Sequence, residues 1–270
     1  MEQAAIKEQL VKTVVKSGNG GAVWVPKAWL GEEVIVILPQ KPRLEVRERV
    51  LRLLEPYLKD VLAVGIYGSY ARKEQRIGSD VDVIVVTTGN VPILIKEKRM
   101  EILSIPLETL KKAIHAHPST YFQPVREAEP LINGALFEEL RHIRPSKEGI
   151  RAFIKETREH LKSSRELIEL DRLDGEILQS SSVLYSTMLR LKGAYILRCA
   201  LKAETFSSKG WKRWLLRGGL TGREFEMASA VYRAVRDSLS LPQNVPLPLG
   251  EKAVNILERE ARLLEDSLGQ

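Results

Sequence analysis

Residues 66–86, IYGSYARKEQRIGSDVDVIVV, combine two apolar runs with small and acidic residues where those runs meet. Gly68 and Ser69 follow the first run, and Asp80 and Asp82 stand one residue apart where the second run begins. Because side chains alternate along a strand, the two aspartates share one face, roughly 6.5–7 Å apart at Cα. The stretch therefore predicts two strands with an acidic site at their edge.

The two aspartates suit a divalent cation. Carboxylates this close repel each other, which raises the pKa of one of them unless a cation lies between them. Oxygen ligands are those that Mg²⁺ and Mn²⁺ prefer. Gly68 and Ser69 precede a helix-compatible segment, and the N–H groups and hydroxyl at such a helix start bind phosphate. A phosphate cradle beside a metal site favours a metal-bound nucleoside triphosphate as ligand.

The same residues resemble the nucleotidyltransferase motif of the DNA polymerase β superfamily. They read G-S-x-A-R from Gly68, then six residues, then S-D-x-D from Ser79 and an apolar strand. The similarity is to the minimal and kanamycin-nucleotidyltransferase-like members. It implies an α/β (α+β) nucleotidyltransferase fold that moves a nucleoside monophosphate from a nucleoside triphosphate to a hydroxyl acceptor and releases pyrophosphate. It also implies that Gly68, Ser69, Arg72 and Ser79 bind the nucleotide.

The family has a third carboxylate on a later strand. Glu101 lies in the run MEILSIPL, which resembles that context, although the family more often has aspartate there. Glu108 is the alternative. The resemblance implies that Asp80, Asp82 and Glu101 are catalytic and hold two Mg²⁺ or Mn²⁺ ions.

The arginines after Gly68 leave two interpretations open. The resemblance implies that Arg72, with Arg76 as a further candidate, neutralises phosphate charge. The alternative is that Arg72 is an ordinary solvated cation on a helix.

The length of 270 residues predicts more than one domain. Strands interleaved with helices predict an α/β domain at residues 41–144. Beyond it the strand signal ends, and four amphipathic segments predict a helical bundle at residues 145–270. These segments are Gly149–Leu173, Ile177–Ala203, Thr221–Leu239 and Lys252–Leu268.

Residues 1–40 form a separate β module in this interpretation. The turn-rich SGNGG at residues 17–21 separates β-branched runs, and a further strand is predicted at residues 33–38. The pattern K-x-GNGG-x-V-x-VPK-x-WLG from Lys16 resembles AbrB-like swapped-hairpin domains. That resemblance implies a homodimer and a contact with DNA, or dimerisation and docking alone.

A basic cluster lies between Lys202 and Arg236, a segment with eight basic and only three acidic residues. Trp211 and Trp214 lie among them. One interpretation is a surface that binds nucleotide phosphates or a nucleic-acid acceptor. The alternative is a solvated helix face with the tryptophans in the core. The surrounding stretch distantly resembles HEPN-like and kanamycin-type bundles. It lacks the Arg and His spacing of catalytic HEPN domains, so a ribonuclease role is not expected.

The formal charge of +7 favours polyanionic partners. No apolar run approaches the roughly 20 residues of a membrane span, and the start lacks the apolar core of a signal peptide. The lone Cys199 is predicted to be a buried hydrophobe in a reducing cytoplasm. Two functions follow: an enzyme whose acceptor is a small molecule, a protein or an RNA, or a non-catalytic DNA-binding regulator or antitoxin-like protein.

Overall fold

The structure is a computed structural model in which the chain divides into two units, Met1–Arg43 and Leu44–Gln270. It describes Lys12, residues 14–34, 46–75 and 79–89, Ile93, Ile95 and residues 97–269. Arg76 and most of the strand predicted at residues 33–38 lie outside this description.

The first unit contains a short hairpin, in which β1 (Val15–Ser17) pairs antiparallel with β2 (Gly20–Ala22). Gly18 opens the two-residue turn with a φ of 58°, a conformation that glycine adopts without steric cost. Trp24 and Leu30 follow, with 73% and 74% of their surface exposed. Within its described residues this unit has no fully buried side chain.

A four-stranded sheet organises the second unit, with the strand order β5-β4-β3-β6. Strands β4 and β5 are parallel, and the other two pairs are antiparallel. The strands are β3 (Val61–Tyr67), β4 (Val81–Thr87), β5 (Met100–Pro106) and β6 (Glu129–Ile132). The sequence predicts β3 with these bounds and misses β6, because a four-residue run that contains proline is a weak strand signal.

Five helices accompany the sheet: α1 (Val46–Leu54), α2 (Gly68–Ala71), α3 (Leu107–Ala116), α4 (Pro118–Glu127) and α5 (Gly134–Arg141). Val50 and Leu54 of α1 pack with Val64 and Val83 on one face of the sheet. The opposite face, with Ile84 at its centre, packs against α3, α4 and α5. Because successive side chains of a strand point to opposite faces, the sheet separates two apolar layers.

The rest of the unit is helical: α6 (Lys147–Asp174), α7 (Ser181–Leu201), α8 (Ser208–Gly218), α9 (Gly222–Arg236) and α10 (Leu247–Asp266). Four of them correspond to the predicted segments, whereas α8 is not predicted and lies inside the basic cluster. Helix α10 begins within residues 242–250, which the sequence predicts to be a loop. Pro248 lies in its first turn, where a missing N–H group costs nothing.

Helix α7 connects the helical region to the sheet. Tyr195, Ile196 and Cys199 belong to the same buried cluster as Ala63 and Ile84 of the sheet, and Cys199 is a free, buried cysteine, as predicted. Because α7 is surrounded by apolar neighbours, its apolar residues extend around the helix rather than along one stripe. No helix in the described part of the chain has both the length and the apolar character needed to cross a membrane.

The start of α6 packs tightly against the end of α3. Ser146 caps α6 by accepting a hydrogen bond from the Gly149 N–H (2.9 Å), and its hydroxyl donates to the His115 carbonyl (3.0 Å). A Cβ on Gly149 would lie 2.0 Å from that carbonyl oxygen and 3.0 Å from Cδ of Pro118. Only glycine allows the helix to approach this closely.

We therefore expect Gly149→Ala to lower the free energy of unfolding by about 2–3 kcal/mol, because the added methyl forces α6 and α3 apart. Urea unfolding followed by circular dichroism measures the loss. The matched control is Gly222→Ala at the start of α9, where a Cβ would meet nothing within 4 Å. It should change stability by less than about 0.5 kcal/mol. Equal effects of the two substitutions would contradict this packing.

Candidate active site

The predicted motif residues meet where β3 ends and α2 begins. Gly68 has a φ of 73°, and a Cβ at this position would lie 1.9 Å from Oδ2 of Asp82. Any side chain here would be strained in its backbone and would collide with the carboxylate. The glycine is therefore required for Asp82 to occupy its place beside the turn.

Three functional groups share the sheet face that α4 and α7 cover. Asp82 is directly opposite Tyr67 on the antiparallel neighbour and opposite Glu101 on the parallel neighbour. Register partners on adjacent strands present their side chains to the same face, about 5 Å apart. The structure thus brings the predicted residues Asp82 and Glu101 together on neighbouring strands.

The surroundings of Asp82 disfavour its charged form. Burial and the negative charge of Glu101, with a smaller effect of Glu127, together raise the pKa of its carboxyl to about 6, against the opposing effect of Lys192. Burial and the charges of Asp82, Glu101 and Glu127 also raise the pKa of the Tyr67 hydroxyl. Asp82 and Tyr67 are therefore partly desolvated beside concentrated negative charge, whereas Glu101 is exposed.

Asp80 is the third of the predicted catalytic carboxylates. It is exposed and immediately precedes β4. The pKa of Arg236, at the end of α9, is raised chiefly by its hydrogen bond to Asp237 and also by the charge of Asp80. Among the described residues, no group of three or more His, Cys, Asp or Glu side chains is arranged to hold a metal ion. Glu108, the alternative third carboxylate, lies in the first turn of α3 and pairs with Lys111 at 2.9 Å.

Glu127, at the end of α4, is a central member of the site that the sequence does not reveal. Its side chain is only 6% exposed. The Gly68 N–H donates to Oε1 (2.8 Å), and Oε2 accepts from Arg72 (2.5 Å) and from Gln123 (2.6 Å). A phosphate that approached the Gly68 N–H would have to displace this carboxylate.

Arg72 is held between the two halves of the unit. Its side chain is 17% exposed and pairs with Glu127 and, at 2.9 Å, with Glu74. Its guanidinium also lies over the ring of Phe206, 5.2 Å from the centroid. The interpretation of Arg72 as a solvated cation is therefore wrong, because the side chain is enclosed and paired on both sides.

Lys192 of α7 is the second residue that the sequence analysis misses. Its Nζ lies 5.9 Å from the centroid of Phe206 and, within the described part of the chain, makes no hydrogen bond or ion pair. Burial lowers its pKa, as does the charge of Arg72, whereas Glu127 and Asp82 act in the opposite direction. The signal available in the sequence is a lysine, two residues after Arg190, at the start of the apolar run GAYIL.

Helix α9 carries an aromatic and cationic wall near Asp80. Tyr232 stacks on Tyr185 of α7 with ring centroids 5.4 Å apart, and Arg236 lies over Tyr232 at 5.9 Å. The two tryptophans of the basic cluster, in contrast, pack against buried apolar residues. For the tryptophans, the core interpretation is therefore correct.

One family model matches the chain. Residues 45–141, which include the whole four-stranded sheet and α1 to α5, match the nucleotidyltransferase domain. The match confirms the predicted fold and the prediction of a nucleotidyltransferase enzyme, whose substrate is a nucleoside triphosphate. Domains of this family usually use divalent metal ions. No curated protein matches the chain.

The raised pKa of Asp82 leads to a prediction about stability. The folded state binds a proton at this carboxyl more tightly than the unfolded state does. The free energy of unfolding should therefore fall as the pH rises from the ordinary pKa of aspartate through about 6, where Asp82 becomes charged in the folded protein. In the presence of a chelator at pH 8, Asp82→Asn should have a free energy of unfolding, measured in urea, that is roughly 1–3 kcal/mol higher than that of the parent. At pH 4 the two proteins should be equally stable.

Asp174→Asn, an exposed aspartate at the end of α6, is the matched control and should show no such dependence. An Asp82→Asn variant that is no more stable than the parent at pH 8 would contradict the desolvation of Asp82.

Proposed function

We propose that the nucleotidyltransferase domain transfers a nucleoside monophosphate to a hydroxyl acceptor in a reaction that depends on Mg²⁺ or Mn²⁺, with Asp80, Asp82 and Glu101 as catalytic carboxylates. The observation that carries this proposal is the position of Asp82. It lies against the side-chain-free Gly68, beside Glu101 on the next strand, in surroundings that disfavour a bare negative charge.

The donor set suits a divalent cation. Asp82 and Glu101 supply carboxylate oxygens from adjacent strands, and Asp80 stands two residues before Asp82 with the same side-chain parity. When bound, Mg²⁺ or Mn²⁺ would neutralise triphosphate charge and polarise the attacking hydroxyl. The raised pKa of Asp82 supports this assignment, because a cation beside its oxygens favours the ionised form.

In the proposed reaction the acceptor oxygen forms a bond to the α-phosphorus, and the bond from that phosphorus to the β-phosphate bridge breaks. The acceptor hydroxyl gives its proton to solvent water, and pyrophosphate leaves with the bonding electrons. The protein contributes by orienting the two reactants and by balancing the charge that moves toward the pyrophosphate.

On the nucleotide side we assign Ser69 and Ser79 as hydroxyl donors and Lys192 as the phosphate cation. Gly68 contributes mainly by lacking a side chain, since its N–H already donates to Glu127. Arg72 is paired with Glu127 and Glu74. Its part in nucleotide binding therefore involves an exchange of partners, whereas Lys192 has no competing ion pair in the described chain.

The flanking regions are assigned more broadly. We infer that residues 1–40 are an AbrB-like β module that forms a homodimer and contacts DNA, and that residues 145–270 are a HEPN-like or kanamycin-type bundle in a cytoplasmic protein. A non-catalytic regulator is not favoured, because the domain match supports an enzyme and the motif carboxylates are intact.

A labelling experiment tests the proposed function. The protein is incubated with each of the four α-³²P-labelled nucleoside triphosphates, Mg²⁺ and a fractionated cell extract. Label should pass to an acceptor fraction and require the metal. The double variant Asp80→Asn/Asp82→Asn should lose at least about 100-fold in rate, because the transition-state charge is no longer balanced.

Asp174→Asn serves again as the control and should label at the parental rate. Absence of transfer from all four nucleotides, or equal transfer by the parent and the double variant, would refute the enzyme assignment to these carboxylates.

Lys192 allows a separate prediction. Lys192→Met keeps the length of the side chain and removes its charge, so nucleoside triphosphate affinity should fall about 10-fold or more, while the melting temperature stays equal or rises, because a desolvated cation is removed. Isothermal titration calorimetry and thermal unfolding measure the two quantities. Lys202→Met, at the exposed end of α7, is the control. Unchanged affinity in Lys192→Met would exclude the assigned role.

A further inference from the structure

Helix α8 carries a row of three exposed cations, Lys209, Arg213 and Arg217, spaced by four residues. This spacing places them on one face of the helix, about 6 Å apart along its axis. Within the described chain none of the three forms a salt bridge. We call this row the α8 stripe.

The α8 stripe is not explained by the stability of its helix. The first turn of α8 contains no acidic residue and carries Lys209, a cation at the positive end of the helix dipole. The neighbouring Lys212 differs, because it pairs with Glu226 at 2.6 Å. The opposite face of α8, with the fully buried Leu215, supplies its packing. Three like charges on the outer face add mutual repulsion to this helix.

The helix that carries the stripe is linked to the active site through its first residue, Ser208. The backbone N–H and hydroxyl of Ser208, the residue before Lys209, donate to Glu74 at 3.3 and 2.7 Å. Glu74 pairs with Arg72, which pairs with Glu127 at the Gly68 turn. An unbroken series of hydrogen bonds thus connects the start of the stripe to the turn beside Asp82.

We propose that the α8 stripe binds the phosphates of a single-stranded polynucleotide, whose terminal hydroxyl is the acceptor. This inference rests on the proposed function, since it names the class of acceptor for the same site. Cations spaced by one helical turn and leading away from the catalytic edge complement a chain of phosphates that ends there. Lys192 and Arg236 near the carboxylates add to the positive field around the strand end.

The charges also argue against another class of acceptor. A polycationic small molecule would be repelled by the stripe and by Arg236, whereas a neutral small molecule would make no use of a row that extends about 12 Å along the helix. An acidic protein would share the charge complementarity but would not present a hydroxyl at the end of a regular series of charges. The polynucleotide therefore uses all of these features.

A binding experiment tests the stripe without relying on catalysis. A 5′-fluorescein 12-mer of uridylate with a free 3′-hydroxyl is titrated with the parent and with Lys209→Gln/Arg213→Gln/Arg217→Gln. The triple variant should bind at least about 10-fold more weakly. Its slope of log affinity against log salt should be smaller by about 2, since each phosphate contact on a single strand contributes about 0.7.

The matched control removes three exposed cations from α6, in Arg151→Gln/Lys155→Gln/Lys162→Gln, and should keep the affinity within about 2-fold. Arg213→Lys preserves charge and should bind nearly as the parent. Equal losses in the two triple variants, or an equal affinity of the parent for a 12-mer of glutamate, would overturn the proposal. Circular dichroism verifies that all variants fold.

A transfer experiment then separates the two hypotheses. The parent should label the 3′ end of the oligonucleotide with an α-³²P-labelled nucleoside triphosphate and Mg²⁺, and the stripe variant should need a higher oligonucleotide concentration at an unchanged maximal rate. If the oligonucleotide stays unlabelled while an extract fraction is labelled, the acceptor class is wrong and the proposed function stands. If nothing is labelled by the parent, the proposed function fails, and with it the acceptor assignment.

Discussion

The buried carboxylate of Glu127 is the interaction on which the site depends. A charge that is 94% enclosed is tolerated only when its oxygens are paired, and here a backbone amide, a guanidinium and a carboxamide supply the partners. Because one partner is the Gly68 N–H, this charge fixes the turn that leaves room for Asp82. Because another is Arg72, the same charge reaches the helical region through Glu74 and Ser208. Loss of the carboxylate would therefore disturb both sides of the site.

The helical region consequently packs as one unit with the sheet. Tyr195 and Cys199 of α7 share a buried cluster with the sheet, and Lys192 projects from the same helix toward Phe206. Gly149 allows the start of α6 to pack against the His115 carbonyl at the end of α3, which is a second contact between the helical region and the helices on the sheet. Interiors packed in this way transmit displacement instead of absorbing it, so the position of Lys192 depends on the packing of α7.

Features encoded by neighbouring residues are predictable from the sequence, whereas those that depend on distant partners are not. The strand β3 follows from its apolar run, and the family resemblance implies that Glu101 joins Asp82, which lies opposite it in the sheet. Glu127 has no motif, because its role arises from contacts with residues 55 and 59 positions away. Lys192 is one of three cations in the sequence of α7, and only the tertiary structure places it near Phe206 and Asp82. Helix α8 was missed because its tryptophans and cations were interpreted as a charge cluster.

The electrostatics of the site show how these elements work together. Asp82 and Lys192 are both desolvated and of opposite sign, and each favours the charged form of the other without a direct ion pair between them. Their surroundings therefore disfavour charge on both, a cost that a fully paired core would avoid. A metal-bound triphosphate has the complementary pattern, since its cation suits the carboxylates and its phosphates suit the lysine. Binding such a substrate would stabilise both charged forms at once, so groups that weaken the fold are the ones best placed to bind the nucleotide.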